Sequence, residues 1–235
     1  MNYWLVMPAA GTGRRFGTDT PKQYAPLEGR TVIDWALAPF LADPRCGQIV
    51  VALGDHDGSW QPPPGVLTTS GGAQRSQSVR AALSTLERRA APGDWVLVHD
   101  AARPCLDVQD LERLLAGVAG HPVGGLLGGR YADTLKRADE SRGDAVPAQV
   151  VRTEERRGLW RALTPQMFRY GPLCAALDAA HAAGRFPSDE AQALEWAGAS
   201  ALLIEGAATN LKVTTADDLT LAAAVLRARR TRPSA

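Results

Sequence analysis

Cysteine is scarce in this sequence, and its three copies are widely spaced. Cys46, Cys105 and Cys174 form no CxxC pair in a chain of 235 residues. That spacing excludes a disulfide framework and argues against a thiolate metal site. The sequence therefore predicts free, partly buried thiols and a cytoplasmic protein.

Net charge and long apolar runs are also lacking. The formal net charge is only +1, with 22% charged and 45% hydrophobic residues. This balance argues against bulk attraction to nucleic acid or to an anionic membrane, so neither is expected as a partner. The apolar stretch YWLVMPAA near the N-terminus is too short to span a bilayer and lacks the basic flank of a signal peptide. We interpret it as a buried first strand.

Lysine is rare as well, because arginine supplies nearly all of the 26 basic side chains. The three lysines are Lys22, Lys136 and Lys212. In such a chain a lysine either survives by chance under biased codon usage or marks a position where a compact ammonium cannot be exchanged for a planar guanidinium. Any anion specificity must therefore be local, and the lysines are candidates for it.

Short apolar strands alternate with amphipathic helices along much of the chain. The predicted strands lie at 3–8, 48–53, 66–69, 95–99, 122–128 and 201–206. The predicted helices lie within 30–41, 70–89, 108–119, 172–184, 189–198 and 216–230. This alternation predicts a parallel sheet that is covered by helices on both faces. Neither an internal repeat nor a linker divides the chain, so we expect one domain over residues 1–235.

The alternation fails over residues 131–155, which are mostly polar. Two interpretations of this segment stay open on the residues alone. It is either a disordered loop or an extended hairpin, with DTLKRA and AQVVRT as its two strands and DESRGD as its tip. In both cases the segment lies outside the pattern that predicts the sheet.

The loop after the first strand, PAAGTGRRFG, lies where open α/β sheets bind anions. It is neither a dinucleotide-binding loop nor a P-loop, because Phe16 stands at the third glycine of GxGxxG and no GK[ST] follows. Its small residues allow backbone N–H groups to approach an anion closely. These candidate nucleotide-binding residues are Ala9, Ala10, Gly11 and Gly13. A structural turn would explain the glycines alone, but the charges of Arg14, Arg15 and Lys22 favour a triphosphate.

Asp100 closes a predicted strand in the stretch HDAARP, so its carboxylate should stand at the same edge of the sheet. An acid at this position binds a ribose hydroxyl or a magnesium ion. The alternatives are a helix N-cap or a salt bridge to Arg103. The neighbouring His99 is interpreted as structural, because no serine or cysteine nucleophile accompanies it at a suitable spacing.

Eight sequence blocks stand in the order and spacing of one enzyme family. They are AAGTGRR, PKQY, GG..R..SV (71–79), VLVHDAARP, DTLKRA, GLWRALTPQ, SDEAQALE and TNLKVT. Over nearly its whole length the chain resembles the bacterial 2-C-methyl-D-erythritol 4-phosphate cytidylyltransferases. The resemblance implies a three-layer α/β/α, Rossmann-like nucleotidyltransferase fold with a mainly parallel sheet and a projecting β-arm. It also implies transfer of a cytidylyl group from CTP to methylerythritol phosphate, with release of pyrophosphate and with Mg²⁺, in non-mevalonate isoprenoid biosynthesis.

The resemblance further implies a role for each residue at a matching position. The catalytic residues are Arg15 and Lys22, which match the pair that stabilises the transition state, and Lys212, which matches a further basic residue at the phosphates. The residues around the nucleotide are Ala9, Ala10, Gly11, Gly72, Ser78, Asp100 and Ala101. The residues around methylerythritol phosphate are Arg103, Thr134, Arg156, Thr164 and Ser188. In the family Thr134 and Arg156 belong to an arm that crosses to a second subunit, so residues 131–155 are predicted to form a dimerisation arm of a homodimer. The ligands of the metal are not implied.

Departures from the family pattern are few. Ala73, Gln74 and Gln77 stand where acidic residues are often found, so nucleotide contacts are expected to differ in detail. Ser188 stands where threonine is common. The absence of a second catalytic domain after Ala235 favours a stand-alone enzyme over a fusion. Two alternatives stay open: a cytidylyltransferase for another polyol phosphate such as ribitol 5-phosphate, and a nucleotide-binding protein without catalytic activity.

Overall fold

The computed structural model describes residues 1–11, 21–54, 60–139 and 147–231. The strands are β1 (Tyr3–Pro8), β2 (Pro26–Leu27), β3 (Arg30–Thr31), β4 (Cys46–Leu53), β5 (Val66–Ser70), β6 (Trp95–Val98), β7 (Gly124–Arg130), β8 (Leu135–Ala138), β9 (Val150–Glu154), β10 (Trp160–Arg169) and β11 (Leu202–Glu205). The helices are α1 (Val32–Leu41), α2 (Arg75–Thr85), α3 (Val108–Val118), α4 (Tyr170–Ala182), α5 (Glu190–Trp196) and α6 (Ala216–Arg230). A 3₁₀ turn at Lys22–Tyr24 precedes β2.

Seven strands form the main sheet in the order β11-β7-β10-β6-β1-β4-β5. Strand β1 pairs in parallel with both β4 and β6, and β7 pairs in parallel with β11. Strand β10 runs antiparallel to both of its neighbours, β6 and β7. The apolar pattern did not predict β10, and the antiparallel direction of this strand makes the sheet mixed rather than wholly parallel. The predicted mainly parallel sheet is confirmed.

Helices cover both faces of this sheet, so the predicted three-layer α/β/α fold is confirmed. Alternate residues of β1 point to opposite faces, as the pleat of a strand requires. Leu5 packs in a core with Leu37 of α1 and Leu114 of α3. Val6 packs on the opposite face, in a core that holds Leu83 of α2 together with residues of α4 and α5. A third, smaller core joins α6 to β2 and to the start of α1.

The helix that follows β3 shows how local chemistry sets an element boundary. Thr31 is the N-cap of α1, and its hydroxyl and backbone pair reciprocally with Asp34 in a capping box. Pro39 lies inside the helix but only two residues before its end, so the backbone hydrogen bond that it removes is one of the last. The cap and the buried apolar stripe together fix α1 against the sheet.

Strands β8 and β9 form a separate antiparallel hairpin. Leu135 pairs with Glu154 and Arg137 with Arg152, so the predicted pairing of DTLKRA with AQVVRT is confirmed. Most residues of both strands are exposed, including Val150 at 58% and Val151 at 61%. Most of the predicted tip lies outside the described residues, which stop at 139 and resume at 147.

The structure also shows the state of the cysteines and the character of the helices. Cys46, Cys105 and Cys174 are all free, as predicted from their spacing. Within residues 1–11, 21–54, 60–139 and 147–231, no helix combines the length and the apolar character that crossing a membrane requires.

Candidate active site at the carboxyl ends of β1, β5 and β6

A cleft opens beyond the carboxyl ends of β1, β5 and β6, where ligands bind in open α/β sheets. The predicted site residues that line it are Ala9, Ala10, Gly11, Lys22, Gly72, Ser78, Asp100, Ala101 and Lys212. Segments that are far apart in sequence therefore meet here. Gly13, Arg14 and Arg15 lie outside the described residues, so their predicted roles stay predictions.

The backbone after β1 is held by a buried glutamine. The Gln23 Nε2 amide donates to the carbonyl of Ala9 at 2.6 Å and to the carbonyl of Gly11 at 3.1 Å. These bonds occupy carbonyl oxygens, and the described small residues Ala9, Ala10 and Gly11 line the cleft. Gln23 was not predicted as a site residue, although it belongs to the PKQY block.

The short turn at Lys22–Tyr24 positions the first lysine. Gln23 and Tyr24 are buried, and the Tyr24 ring stacks near Trp60 with 6.3 Å between ring centroids. The backbone N–H of Tyr24 closes the turn on the carbonyl of Pro21 at 2.9 Å. With its two neighbours anchored in the protein, Lys22 lines the cleft.

The glycine pair after β5 permits a close approach of two loops. A Cβ atom at Gly71 would lie 2.4 Å from the Cβ of Ala10 and 2.8 Å from the Oγ of Ser78. The Ser78 hydroxyl accepts from the backbone N–H of Gly72 at 3.1 Å. Ser78 is buried, so it shapes the turn that lines the cleft. Gln77 accepts from the Gln74 N–H at 3.0 Å, which explains these glutamines as part of the start of α2.

Asp100 is the centre of the charge in the cleft. Its Oδ1 lies 2.9 Å from Arg75 Nε, and its Oδ2 lies 2.8 Å from Lys212 Nζ. Arg103 Nε is more distant, at 3.7 Å from Oδ2. Although burial alone would raise the pKa of Asp100, these three cations hold it well below its ordinary value. The carboxylate is therefore charged at neutral pH.

Two structural roles were considered for Asp100, a helix N-cap and a salt bridge to Arg103, and the structure shows only the second. Asp100 does not cap α3, because Asp107 is the N-cap of that helix. The salt bridge to Arg103 exists but is the longest of the three ion pairs. The predicted position of the carboxylate, at the cleft edge, agrees with the structure.

Arg75, which is partly exposed, forms an ion pair with the buried Glu190 that sequence reasoning missed. Arg75 Nη1 donates to Glu190 Oε1 at 2.6 Å, and Nη2 donates to Oε2 at 3.1 Å. Burial raises the pKa of Glu190, against the opposing charge of Arg75. Both residues belong to quoted family blocks, but 115 positions separate them, so the sequence carried no sign of the pairing.

His99 and Thr164 are linked to the backbone of Asp100 by a chain of buried hydrogen bonds. His99 Nε2 lies 3.1 Å from the carbonyl of Arg103, and this oxygen only accepts, so the proton sits on Nε2. The unprotonated Nδ1 then accepts from the Thr164 hydroxyl at 3.0 Å, and that hydroxyl accepts from the Asp100 N–H at 3.0 Å. Burial lowers the pKa of His99 to about 4. The structural interpretation of His99 agrees with these contacts.

Arg103 and Asn210 fasten the segment that carries Lys212. Arg103 Nη1 donates to the carbonyl of Asn210 at 2.8 Å, and Asn210 Nδ2 donates to the carbonyl of Thr164 at 2.8 Å. The Val213 N–H donates to the carbonyl of Ala102 at 2.8 Å. The lysine is thus held between two anchored neighbours and faces Asp100.

The predicted methylerythritol phosphate residues lie in three places. Arg103 and Thr164 are buried beside Asp100. Thr134 and Arg156 are exposed and share a groove on the β8–β9 hairpin, where Arg156 donates to the carbonyl of Ala132. Ser188 is exposed, just before α5. None of the five residues is part of the described cleft lining, and only Arg103 and Thr164 contact Asp100, which does line it.

The residues present would suit a metal that is shared with a substrate. Within the described part of the chain, no three His, Cys, Asp or Glu side chains form a group that suits a metal ion. Of the described residues that line the cleft, Asp100 alone carries a carboxylate. A single carboxylate together with substrate phosphates is a common way of binding Mg²⁺.

Sequence comparisons agree with this geometry. A family model described as 2-C-methyl-D-erythritol 4-phosphate cytidylyltransferase matches residues 3–228. The curated protein of that name from Halorhodospira halophila is 50% identical over 240 residues, which covers 97% of this chain and 95% of the relative. The one from Acidithiobacillus ferrooxidans is 48% identical over 236 residues, covering 96% and 97%.

Solved structures give the same result. The 2-C-methyl-D-erythritol 4-phosphate cytidylyltransferase of Francisella tularensis superposes with a TM-score of 0.81 at 33% identity, covering 96% of this chain and all of that one. The enzyme from Thermus thermophilus gives a TM-score of 0.78 at 30% identity, covering 97% of this chain. With the cleft, the fold and the relatives in agreement, the chain belongs to the 2-C-methyl-D-erythritol 4-phosphate cytidylyltransferase family.

Proposed function

We propose that this enzyme transfers the cytidylyl group of CTP to 2-C-methyl-D-erythritol 4-phosphate, giving 4-diphosphocytidyl-2-C-methyl-D-erythritol and pyrophosphate in isoprenoid precursor biosynthesis. The observation that carries the proposal is the cleft itself. It gathers Lys22, Lys212 and Asp100 around backbone of small residues at the carboxyl edge of the sheet. Such an arrangement suits a nucleoside triphosphate that is bound by its phosphates and its ribose.

The reaction exchanges one phosphorus–oxygen bond for another. An oxygen of the methylerythritol phosphate attacks the α-phosphorus of CTP and forms a new bond to it. The bond from that phosphorus to the oxygen bridging the β-phosphate breaks, and its electron pair leaves with pyrophosphate. No covalent nucleophile is needed, and the described lining residues support this: they include neither Cys nor His, and their one hydroxyl, that of Ser78, is buried.

Positive charge then supplies most of the catalysis. Negative charge grows on the non-bridging oxygens and on the leaving pyrophosphate as the bonds exchange, and cations fixed in advance stabilise it. We assign this role to Lys22 and Lys212, and to Arg15 on the family resemblance. The pairing of Lys212 with Asp100 supports its part, because the ammonium is oriented before substrate binds.

Nucleotide and acceptor are assigned to different parts of the site. We assign the ribose to Asp100 and Ala101. We assign cytosine and the triphosphate to Ala9, Ala10, Gly11, Gly13, Gly72 and Ser78. We assign the methylerythritol phosphate to the set formed by Arg103, Thr134, Arg156, Thr164 and Ser188. Thr134 and Arg156 lie outside the described cleft lining. This supports a homodimer of single-domain chains, 1–235, in which the arm at 131–155 reaches the cleft of a second copy.

A divalent cation completes the proposal. Nucleotidyltransferases such as this family generally depend on one, and we propose Mg²⁺. When bound, it would neutralise negative charge on the triphosphate and on the pyrophosphate that leaves. The phosphates of CTP would supply most of its ligands, because Asp100 is the one carboxylate among the described lining residues and both of its oxygens are paired with cations. We also propose that the enzyme works in the cytoplasm, which its free thiols support.

The decisive assay incubates the purified chain with radiolabelled CTP, Mg²⁺ and either methylerythritol phosphate or ribitol 5-phosphate. We expect pyrophosphate release and a labelled CDP-alcohol, with a much higher kcat/KM for methylerythritol phosphate. A preference for ribitol 5-phosphate would replace the proposed acceptor. Retention of label without any pyrophosphate would instead identify a nucleotide-binding protein.

A further inference from the structure

The Arg75 guanidinium is divided between two carboxylates of different elements. Its Nε edge binds Oδ1 of Asp100, which follows β6, and its Nη atoms bind both oxygens of Glu190 at the start of α5. Only 1% of the Glu190 side chain and 9% of the Asp100 side chain are exposed. A planar guanidinium with five donors is the one side chain able to bind both acids in this way.

Because Arg75 binds Asp100 only through Nε, it occupies one carboxylate oxygen of Asp100 and not the other. Oδ1 is taken by Arg75, while Oδ2 faces Lys212 at 2.8 Å. Arginine prefers a bidentate pair with a carboxylate when both of its parallel N–H groups are available. If Glu190 did not hold the Nη atoms, Arg75 would be able to turn its fork towards Asp100 and compete with Lys212 for Oδ2.

A simple need to neutralise a buried acid does not explain this geometry. The two Nη contacts already satisfy Glu190, and Arg75 would then have no reason to lie within 2.9 Å of Asp100. Arg75 is also the first residue of α2, directly after the turn that contains Gly72. The same side chain therefore links the cleft turn, the end of β6 and the start of α5.

We propose that Arg75 and Glu190 are positioning residues for cytidylyl transfer: Glu190 holds the guanidinium so that it binds one oxygen of Asp100 and leaves the other for Lys212 and the nucleotide. This inference rests on the proposed function, because Asp100 is assigned to the ribose there. Glu190 itself lies outside the cleft lining and acts only through Arg75.

The first test compares Glu190→Gln with Glu195→Gln, an exposed acid on the same helix. The equilibrium dissociation constant for CTP and the steady-state kcat and KM are measured on folded protein. We expect Glu190→Gln to raise the dissociation constant and the KM for CTP by about tenfold, with a smaller change in kcat, since ground-state binding is lost. Glu195→Gln should keep the wild-type values.

A double-mutant cycle separates positioning from simple loss of stability. In an Asp100→Asn background, Glu190→Gln should change CTP affinity by less than about twofold, because both changes act on the same contact. Arg75→Lys keeps the charge but loses the fork, so it should reproduce the tenfold effect even where Glu190→Gln folds poorly.

Three outcomes bear on the inference. Unchanged CTP affinity in both Glu190→Gln and Arg75→Lys overturns it while leaving the proposed function intact. Equal effects of Glu190→Gln with and without Asp100→Asn also overturn it, because the two residues would then act independently. A wild-type protein that fails to bind CTP overturns the proposed function, and with it the inference that depends on it.

Discussion

The cleft and the β8–β9 hairpin differ in burial and in how far apart in sequence their contacting residues are. In the cleft, Asp100 is buried and bonded to Arg75, Lys212 and Thr164, which come from three different parts of the chain. In the hairpin the side-chain bonds are local, such as Lys136 Nζ to Thr153 Oγ1 at 2.7 Å. Neighbouring strand residues point to opposite faces, and both Val150 and Val151 are more than half exposed.

This contrast indicates how the two regions do their work. In the described part of the cleft, Asp100, Arg75 and Lys212 are held by contacts within a single copy, so these charges are in place before substrate arrives. Apolar side chains are exposed to solvent on both faces of the hairpin. The hairpin region also carries Thr134 and Arg156, two residues predicted to bind the acceptor. A region with this character is suited to completion by another molecule, and a second copy of the chain is the partner we propose.

The largest expected effect comes from removing a cation of the cleft. Lys22→Ala should lower kcat by on the order of a hundredfold or more, corresponding to about 2.7–4 kcal/mol of lost transition-state stabilisation. The same loss is predicted for Arg15→Ala. Turnover is measured by pyrophosphate release from CTP and methylerythritol phosphate.

The control for this prediction is Arg89→Ala, which removes an exposed cation that binds Gln48 far from the cleft lining. It should keep wild-type turnover. If Lys22→Ala also turned over at a near-native rate, the role assigned to the cleft lysine would be wrong.

The buried histidine beneath Asp100 makes stability depend on pH. Burial lowers the pKa of His99 from 6.5 to about 4, so the unfolded chain takes up this proton first as the pH falls. The stability that the protein gains from keeping His99 neutral and buried is complete above about pH 6.5, and it is lost as the pH falls towards 4. The free energy of unfolding should decrease by about 3 kcal/mol across this window, from the shift of the pKa alone.

Chemical denaturation at several pH values checks this prediction. His99→Gln should flatten the slope between pH 6.5 and 4, because no proton is then taken up at this position. Leu114→Ala, a core truncation in α3, lowers stability without removing a titratable group and should keep the wild-type slope. Equal slopes for His99→Gln and wild type would contradict the account.

The close approach of the two cleft loops predicts an intermediate effect. Gly71→Ala places a Cβ within 2.4 Å of Ala10 and should cost about 1–3 kcal/mol of stability through overpacking. CTP affinity should fall as well, since the displaced turn lines the site. Gly120→Ala is the matched control, because a Cβ added there would meet no atom of the described residues within 4 Å. A Gly71→Ala protein as stable as that control would rule out the tight contact.

The smallest effect on folding is expected in the hairpin. Val150→Thr with Val151→Thr should change the free energy of unfolding of one subunit by no more than about 0.5 kcal/mol, because both side chains are exposed. Sedimentation velocity should nevertheless show a several-fold weaker dimer. An unchanged dimer would show that these valines do not lie in the interface.

Much of the fold was predictable because its signals are local. The apolar runs gave β1, β4 and β6, and the helical spacing gave α3 and α6. Strand β10 was not predicted, because Pro165 interrupts its sequence and because its pairing with β7 shifts register between Ala162 and Gln166. A strand that is interrupted and is defined by its pairing with two neighbouring strands has little apolar periodicity of its own in the sequence.

The site was predictable in part for the same reason. The glycine loop, Lys22, Lys212 and Asp100 carry their chemistry in short motifs, and their described members meet in one cleft, whereas Lys136 lies on the hairpin. Arg75, Glu190 and Gln23 were missed as site residues, since what they do depends on partners brought close only by folding. Charge alone does not reveal that an arginine binds an acid 115 positions away.

A mixed-dimer experiment tests the contrast between the two regions most directly. Lys22→Ala subunits have a defective cleft and an intact arm, whereas Arg156→Ala subunits have the reverse. If the arm serves the cleft of a second copy, each mixed dimer regains one intact site, so equal mixing should restore roughly a quarter of wild-type turnover. If each arm serves its own cleft, or no dimer forms, the mixture will be as inactive as its two components, and the account will be contradicted.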